Sequence, residues 1–144
     1  MKTSEAPHIR PARHDELDAV LAFWRDAAKG TSVSDDRAGM ETLHARDPEA
    51  LLLAFDGDTL AGTLIAGFDG WRCSLYRLAV HPAHRRRGIA SALLATAEAR
   101  FRALGGRRVD AMVLLDNPEG QGFWTEAGFE RQTTWARWVK PLEG

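Results

Sequence analysis

The spacing of apolar residues changes several times along the chain, and each change marks a predicted element. Residues 8–12 form a short predicted strand, which Pro11 places near a sheet edge because proline cannot donate to a ladder. Helical spacing then extends from Asp15, as N-cap, to about Ala28. Gly30 is expected to end this first helix.

The pattern changes from helical to strand-like near the first third of the chain. A second helix is predicted to begin at one of the polar residues 34–36 and to end near Arg46. Beyond it the apolar residues form three runs of strand length, at residues 50–55, 60–68 and 71–80.

Aspartate and glycine mark the turns of these three strands. Asp56-Gly57-Asp58 and Asp69-Gly70 predict two hairpin turns, so the strands should form an antiparallel meander. Gly62 and Gly67, inside the middle strand, indicate bulges or a close approach of another backbone.

The longest helical pattern follows a strand and a basic turn. Pro82 ends the strand, the turn is Arg85-Arg86-Arg87-Gly88, and the helix is predicted from Ile89 to about Leu104. The first N–H groups of a helix lack internal partners and lie at the positive end of its dipole. Because Gly88 has no Cβ, an anion could approach the backbone closely, and this arrangement predicts a phosphate site.

The remaining segments predict a mixed α/β fold. Residues 109–115 form another strand-like run, so the preceding helix should be the right-handed crossover of a βαβ unit. Val80 and Leu115 would then lie on neighbouring parallel strands. A short helix is expected from Asn117 to about Ala127, followed by two strands near residues 130–132 and 135–139.

Composition indicates one globular domain over residues 1–144, with residues 1–7 as a flexible tail. The net charge of −1 argues against a nucleic-acid partner, although a DNA-binding role of the arginine turn is an alternative. There is no apolar run of membrane-spanning length, and the one cysteine, Cys73, favours a reducing cytoplasm. The histidines show no ligand spacing, so no metal site is expected.

Two motifs carry a resemblance to a known superfamily. The turn sequence Arg85-x-x-Gly88-x-Ala90 is neither a P-loop nor a dinucleotide fingerprint. It resembles the pyrophosphate signature of the GNAT acyl-CoA N-acyltransferases, Gln/Arg-x-x-Gly-x-Gly/Ala. Residues 117–129 lie without a gap over the family pattern Asn-x-x-Ala-x-x-Phe-Tyr-x-x-x-Gly-Phe. The resemblance implies a mixed seven-stranded sheet, about four helices, and a central parallel strand pair splayed at the CoA site.

The resemblance also implies acetyl-CoA as cosubstrate and gives its contacts. Unpaired backbone groups of the strand before the turn would bind the pantetheine arm, and the turn's N–H groups would bind the pyrophosphate. Asn117 would contact the pantetheine arm or only cap its helix, and Phe123 is more typical of core. The implied cofactor-binding residues are Leu78, Ala79, Val80, Arg85, Arg86, Arg87, Gly88, Ile89, Ala90, Ser91, Asn117, Phe123 and Trp124.

The chemistry implied is attack of an amine on the thioester. A strand N–H near Val80 could stabilise the oxyanion. Asp69, Tyr76, His81 and Asp116 are candidate bases, although Asp69 is by default a turn residue. A water chain without a dedicated base is the alternative. The family's tyrosine acid is replaced by Trp124, whose indole can donate a hydrogen bond but not a proton.

The function predicted is therefore N-acetyl transfer from acetyl-CoA to a primary amine of a small molecule or a protein N-terminus. The alternative is a non-catalytic acyl-CoA sensor, which the replacement by Trp124 and the lack of a strand carboxylate would suit. A monomer or a homodimer is expected. Further tryptophans could line an acceptor pocket, or fill core or a dimer seam; these are Trp24, Trp71, Trp135 and Trp138.

Overall fold

The computed structural model describes residues 6–28 and 35–142. The predicted helix end at Gly30, the possible cap at Ser34 and most of the predicted tail lie outside these ranges. Two compact units are present, Met1–Met112 and Val113–Gly144, and each is described by itself.

The first unit contains a sheet of five strands in the order β1-β2-β3-β4-β5. Neighbouring strands are antiparallel except for the pair β4 and β5, which is parallel. The bounds are β1 His8–Pro11, β2 Leu51–Asp56, β3 Thr59–Phe68, β4 Cys73–Val80 and β5 Val109–Ala111. The antiparallel meander, the parallel pair and the edge position of the strand containing Pro11 are confirmed.

Four α-helices accompany the sheet in the described ranges: α1 Leu17–Ala27, α2 Arg37–Arg46, α3 Ile89–Ala103 and, in the second unit, α4 Pro118–Glu126. Asp36 caps α2, since its Oδ1 accepts a hydrogen bond from the Gly39 N–H at 2.8 Å. Asp15 was the wrong cap for α1, because it lies inside a 3₁₀ turn and Glu16 occupies the N-cap position.

One face of the sheet packs against α1 and α2. The buried residues there include Leu17, Val20 and Trp24 of α1, with Leu53 and Ile65 from the strands opposite. These helix residues recur at helical spacing, and the strand residues alternate, which explains why both patterns could be found in the sequence.

The other face packs against α3, whose buried residues are Ile89, Leu93, Leu94, Ala97 and Phe101. Gly62 of β3 lies beneath this helix. A Cβ at Gly62 would be 2.9 Å from Ile89 Cγ2 and 3.2 Å from the Ala79 carbonyl oxygen. The prediction of a close approach at Gly62 is therefore confirmed, and β3 needs glycine there so that α3 can reach the sheet.

The register of β3 and β4 contains a bulge. Ile65 pairs with Tyr76 but Thr63 pairs with Ala79, so two residues of β4 lie opposite Leu64 alone. The first of them, Arg77, has a φ of +55°, in the left-handed region that side chains other than glycine rarely adopt.

The second unit, Val113–Gly144, contains α4 and a segment without regular structure up to residue 142. Trp124 is its buried aromatic residue and makes edge-to-face contacts with Phe123 and Phe129, at centroid distances of 5.2 and 4.9 Å. Such pairs favour a fixed packing because the ring edge is positive and the ring face negative.

The prediction of seven strands was wrong, since the described residues form five. Residues 130–132 and 135–139 are not strands, and β5 ends at Ala111 and not at Leu115. Aromatic and β-branched residues favour a strand only where a partner strand and a buried face exist. Trp135 and Trp138 are 80% and 92% exposed, so neither supplies such a face.

Candidate functional site

The candidate site begins where β4 continues beyond its parallel neighbour. The register with β5 covers only the first three residues of β4, from Cys73–Val109 to Leu75–Ala111. Among the described residues, none of β5 is in register with β4 from Tyr76 to Val80. Beyond Leu75, β5 therefore gives β4 no ladder partner, and this part of the strand resembles an edge to which another strand can be added.

The N–H of Val80 points to this open side. The next residue, His81, donates its N–H to Ala61 of β3 at 2.9 Å, and successive residues of a strand alternate in direction. Val80 pairs with Gly62 in the register and so turns its own N–H away from β3. Of the residues predicted to bind at this strand, Val80 thus has the geometry for a donor into the gap.

The turn between β4 and α3 supplies further N–H groups. Gly88 is the N-cap of α3, with a φ of +77°, and Arg86 has a φ of +65°. The first helical bond runs from the Ala92 N–H to the Gly88 carbonyl at 3.0 Å, so the preceding N–H groups belong to the unpaired first turn. Apart from its chain neighbours, no heavy atom of the described residues lies within 4 Å of an ideal Cβ at Gly88, so the turn is open at this point.

Two of the three arginines in the turn form hydrogen bonds to other residues of the chain. Arg85 Nε donates to the Val80 carbonyl at 3.2 Å, and Arg87 Nη1 donates to Asp56 Oδ2 at 3.1 Å. The first contact ties the turn to the end of β4, and the second ties it to the β2–β3 hairpin. All three arginines are exposed, so their positive charge remains near the helix N-terminus. The turn therefore combines unpaired helical N–H groups with positive charge, a combination that suits an anion.

Asp69 is held as a turn residue. Its Oδ1 accepts hydrogen bonds from the Arg72 N–H at 2.7 Å and the Trp71 N–H at 2.8 Å. These two bonds, the first above all, lower the pKa of the Asp69 carboxyl. A carboxylate stabilised in this way is a weaker base than an ordinary aspartate.

Two of the other candidate bases, Tyr76 and His81, lie on or beside β4, whereas Asp116 belongs to the second unit, directly before Asn117. Tyr76 is 45% exposed and lies opposite Ile65 in the register. His81 follows the strand, accepts a hydrogen bond at Nδ1 from the Ala83 N–H at 3.1 Å, and has its ring 6.3 Å from that of Phe23. Phe23 belongs to α1, so His81 lies on the α1 side of the sheet.

Asn117 is the N-cap of α4, since its Oδ1 accepts from the Gly120 N–H at 3.3 Å. Gln121 secures the same turn by donating to the Leu114 carbonyl at 3.2 Å. The capping role that the sequence allowed for Asn117 is thus present. Phe123 is half-buried and Trp124 buried in their unit, in agreement with a packing role for Phe123.

A buried polar network near β4 was missed by sequence reasoning. Trp24 Nε1 donates to Thr63 Oγ1 at 2.8 Å, and Thr63 Oγ1 donates to the Arg77 carbonyl at 2.9 Å. The Arg77 guanidinium pairs with Asp35, and its burial lowers the pKa of this side chain. The one available signal was Thr63, the single hydroxyl-bearing residue in the apolar run 60–68.

Two further features concern the described ranges as a whole. They contain no group of three or more histidine, cysteine, aspartate or glutamate side chains placed to hold a metal ion. None of the helices described is both long and apolar enough to cross a membrane.

The five-stranded mixed sheet, with its short parallel pair next to a glycine turn and a helix N-terminus, is a mixed α/β fold of the GNAT-like type. The acetyltransferase (GNAT) family matches residues 17–129, and the chain belongs to that family.

Sequence relatives agree with this assignment, and solved structures share the fold. An acetyltransferase of Yersinia pestis (strain Pestoides F) is 32% identical over 126 residues, which is 88% of this chain and 89% of the relative. The crystal structure of Ard1 from Thermoplasma volcanium is 21% identical, with a TM-score of 0.80 over 90% of this chain and 86% of that one. The PaiA N-acetyltransferase from Thermoplasma acidophilum, solved in complex with coenzyme A, is 20% identical, with a TM-score of 0.73 over 89% and 92%.

Proposed function

We propose that the protein transfers the acetyl group of acetyl-CoA to a primary amine of a small molecule or of a protein N-terminus. The observation that carries this proposal is the Val80 N–H, which faces an open strand edge beside the Gly88 turn. The acetyltransferase relatives and the solved coenzyme A complex of PaiA support it.

In this proposal the protein mainly binds acetyl-CoA and orients its thioester. The N–H groups around Gly88 would hold the pyrophosphate, and the open edge of β4 would hold the pantetheine arm, which brings the thioester near Val80. The amine nitrogen forms a bond to the acetyl carbon, the carbon–sulfur bond breaks, and the proton lost by the amine balances the thiolate. The Val80 N–H would donate to the thioester oxygen as negative charge develops there.

A non-catalytic acyl-CoA sensor is the second candidate function. It is favoured by Trp124, where the family pattern has tyrosine, and by the engagement of Asp69 in its turn. A sensor needs the binding turn but no group that moves a proton.

One pair of measurements separates the two functions. Thiol release from acetyl-CoA is followed with a panel of small amines and of short peptides with free N-termini, and acetyl-CoA binding is measured by calorimetry. Binding together with turnover of at least one amine supports the enzyme, whereas binding without turnover across the panel supports the sensor. Absence of binding contradicts both.

Location and assembly belong to the same proposal. The free thiol of Cys73 is buried, which agrees with a protein of the reducing cytoplasm. Gel filtration with light scattering decides between the two assemblies expected, a monomer and a homodimer. The single-domain organisation of the chain stays a prediction.

A further inference from the structure

Thr63 is a fully buried polar residue in the middle of β3. Its hydroxyl is satisfied twice, as acceptor from Trp24 Nε1 and as donor to the Arg77 carbonyl. A buried hydroxyl and a buried indole N–H are retained in a core only with partners, so this chain of two bonds fixes where the Arg77 carbonyl points.

The Arg77 carbonyl belongs to the bulge of β4. In a regular strand this carbonyl would lie in the plane of the sheet and point toward a neighbouring strand. Here it points toward the Thr63 side chain on the α1 face of the sheet. Arg77 has left-handed backbone angles, which for an arginine cost free energy that neighbouring contacts must offset. The pairing of its guanidinium with Asp35 holds the same residue at its other end.

The bulge sets the direction in which the Val80 N–H points. Leu75 faces β5, because its carbonyl accepts the Met112 N–H at 3.4 Å. In a strand without the bulge, backbone N–H and C=O groups alternate in direction from Leu75 onward. Those of Arg77 and Ala79 would then point toward β5, and those of Val80 toward β3. The extra residue reverses the order, so Ala79 pairs with Thr63 and Val80 faces the open side.

We infer that Trp24 and Thr63 are positioning residues that hold the bulge at Arg77 and thereby direct the Val80 N–H at the reacting carbonyl. The inference rests on the proposed function, because Val80 needs this direction only if it binds an acyl oxygen. The two residues act through the backbone of β4 and touch no reacting atom.

The test replaces the hydroxyl while keeping the shape of the side chain. Thr63→Val should lower kcat with the best amine of the panel at least tenfold, equivalent to about 1.4 kcal/mol in the barrier. The Kd of free CoA should change less than twofold, because CoA without its acyl group has no carbonyl for Val80. Thr63→Ser, which restores the hydroxyl, should recover most of the activity, and Trp24→Phe should lose less than Thr63→Val because Thr63 can still donate to Arg77.

A second readout is independent of turnover. Amide hydrogen exchange of a peptide covering residues 77–81 should be faster in Thr63→Val than in the parent, and slow again in Thr63→Ser. Val20→Thr serves as the matched control, because it is the reverse substitution at a buried site of α1. It should destabilise the core without altering amide hydrogen exchange at residues 77–81.

The outcomes separate this inference from the proposed function. If the parent releases no thiol with any amine, the proposed enzyme fails, and exchange at residues 77–81 still decides whether Thr63 holds the bulge. If Thr63→Val keeps the parent's kcat or the parent's exchange, the inference is overturned. If Thr63→Val does not fold, kcat and amide hydrogen exchange are measured on Trp24→Phe instead. An unchanged kcat together with unchanged exchange at residues 77–81 in that variant overturns the inference.

Discussion

Gly88 is the residue at which backbone conformation and proposed binding meet. Its left-handed angles form the turn, and the absence of a side chain leaves the helix N-terminus open. Any other residue would bring both strain and a Cβ into the space proposed for the pyrophosphate.

Gly88→Glu should therefore abolish acetyl-CoA binding, with Kd raised at least about 100-fold, or roughly 2.7 kcal/mol. The added carboxylate would repel the phosphates as well as occupy their space. Gly57→Glu is the matched control, because Gly57 also has a positive φ, +60°, and lies in the β2–β3 turn. Its ideal Cβ likewise meets no described atom within 4 Å beyond its chain neighbours. Calorimetry on both folded variants checks this. Parent-like binding by Gly88→Glu would place the site elsewhere.

At the scale of elements, the contact between β3 and α3 depends on Gly62. Gly62→Ala would place a methyl group 3.2 Å from the Ala79 carbonyl oxygen and against Ile89 and Leu93 of α3. Overpacking of this kind costs about 1–3 kcal/mol, and we expect such a loss in the free energy of unfolding.

Gly67→Ala is the internal comparison, since its Cβ would meet nothing closer than 3.7 Å in the same strand. We expect it to be neutral or stabilising by up to about 1 kcal/mol, because alanine lowers the entropy of the unfolded chain. Urea denaturation measures both variants. Equal effects of the two substitutions would mean that α3 does not approach β3 as described.

The junction of β1 and α1 is held by a charged pair. Arg10 donates to both carboxylate oxygens of Glu16, at 2.7 and 2.8 Å, and the Arg13 N–H donates to the same carboxylate. The hydrogen bond with Arg10 chiefly lowers the pKa of Glu16 from 4.5 to about 2. Since the folded pKa lies below the unfolded one, the stabilisation is present above pH 4.5 and is lost as the pH falls through 2.

Glu16→Gln should therefore destabilise the protein by about 1–2 kcal/mol at pH 7, after allowance for the partial exposure of the pair. The difference from the parent should fall to about half or less at pH 3. Glu49→Gln is the control, because Glu49 is an exposed partner of Arg100 at 3.5 Å and should contribute little. A difference between parent and Glu16→Gln that stays constant from pH 7 to pH 3 would contradict the assignment to this carboxylate.

The helices and strands differ in how well the sequence could predict them. The helices and the meander were predicted to within a few residues, because each has its own apolar period and its own turn residues, such as Asp36 and Gly57. The two strands predicted near residues 130–132 and 135–139 are absent, because a strand exists only through its neighbours. The bulge at Arg77 was also missed, since nothing in an arginine indicates a left-handed backbone.

For the molecule as a whole, the two parts of the site differed in how readily they could be predicted. The turn at residues 85–90 is continuous in sequence, so its motif can be recognised from adjacent residues alone. The network of Trp24, Thr63 and Arg77 joins residues separated by 39 and 14 positions, and only the packing of α1 on the sheet brings them together. Contacts of this kind have no local pattern.

The complete reaction makes a prediction about pH, because β4, the strand of the candidate site, carries no carboxylate. Asp69 is occupied by backbone N–H groups and its pKa is lowered, so it is a poor acceptor for an ammonium proton. We therefore expect the amine to lose its proton before attack, without a dedicated carboxylate. The value of kcat/KM should then rise with pH until the pKa of the acceptor itself is reached.

Two acceptors of different basicity provide the decisive comparison. An alkyl amine has a pKa near 10.4 and an α-amino group one of about 7.7–8.0, so the upper limit of the rise should move by more than about two pH units between them. Asp69→Asn should leave both profiles unchanged, since the amide oxygen can still accept the turn hydrogen bonds. Profiles of kcat/KM from about pH 6 to 10 with both acceptors test this. A limit at the same pH for both would reveal a titrating group of the enzyme, and its loss in Asp69→Asn would identify that group as Asp69.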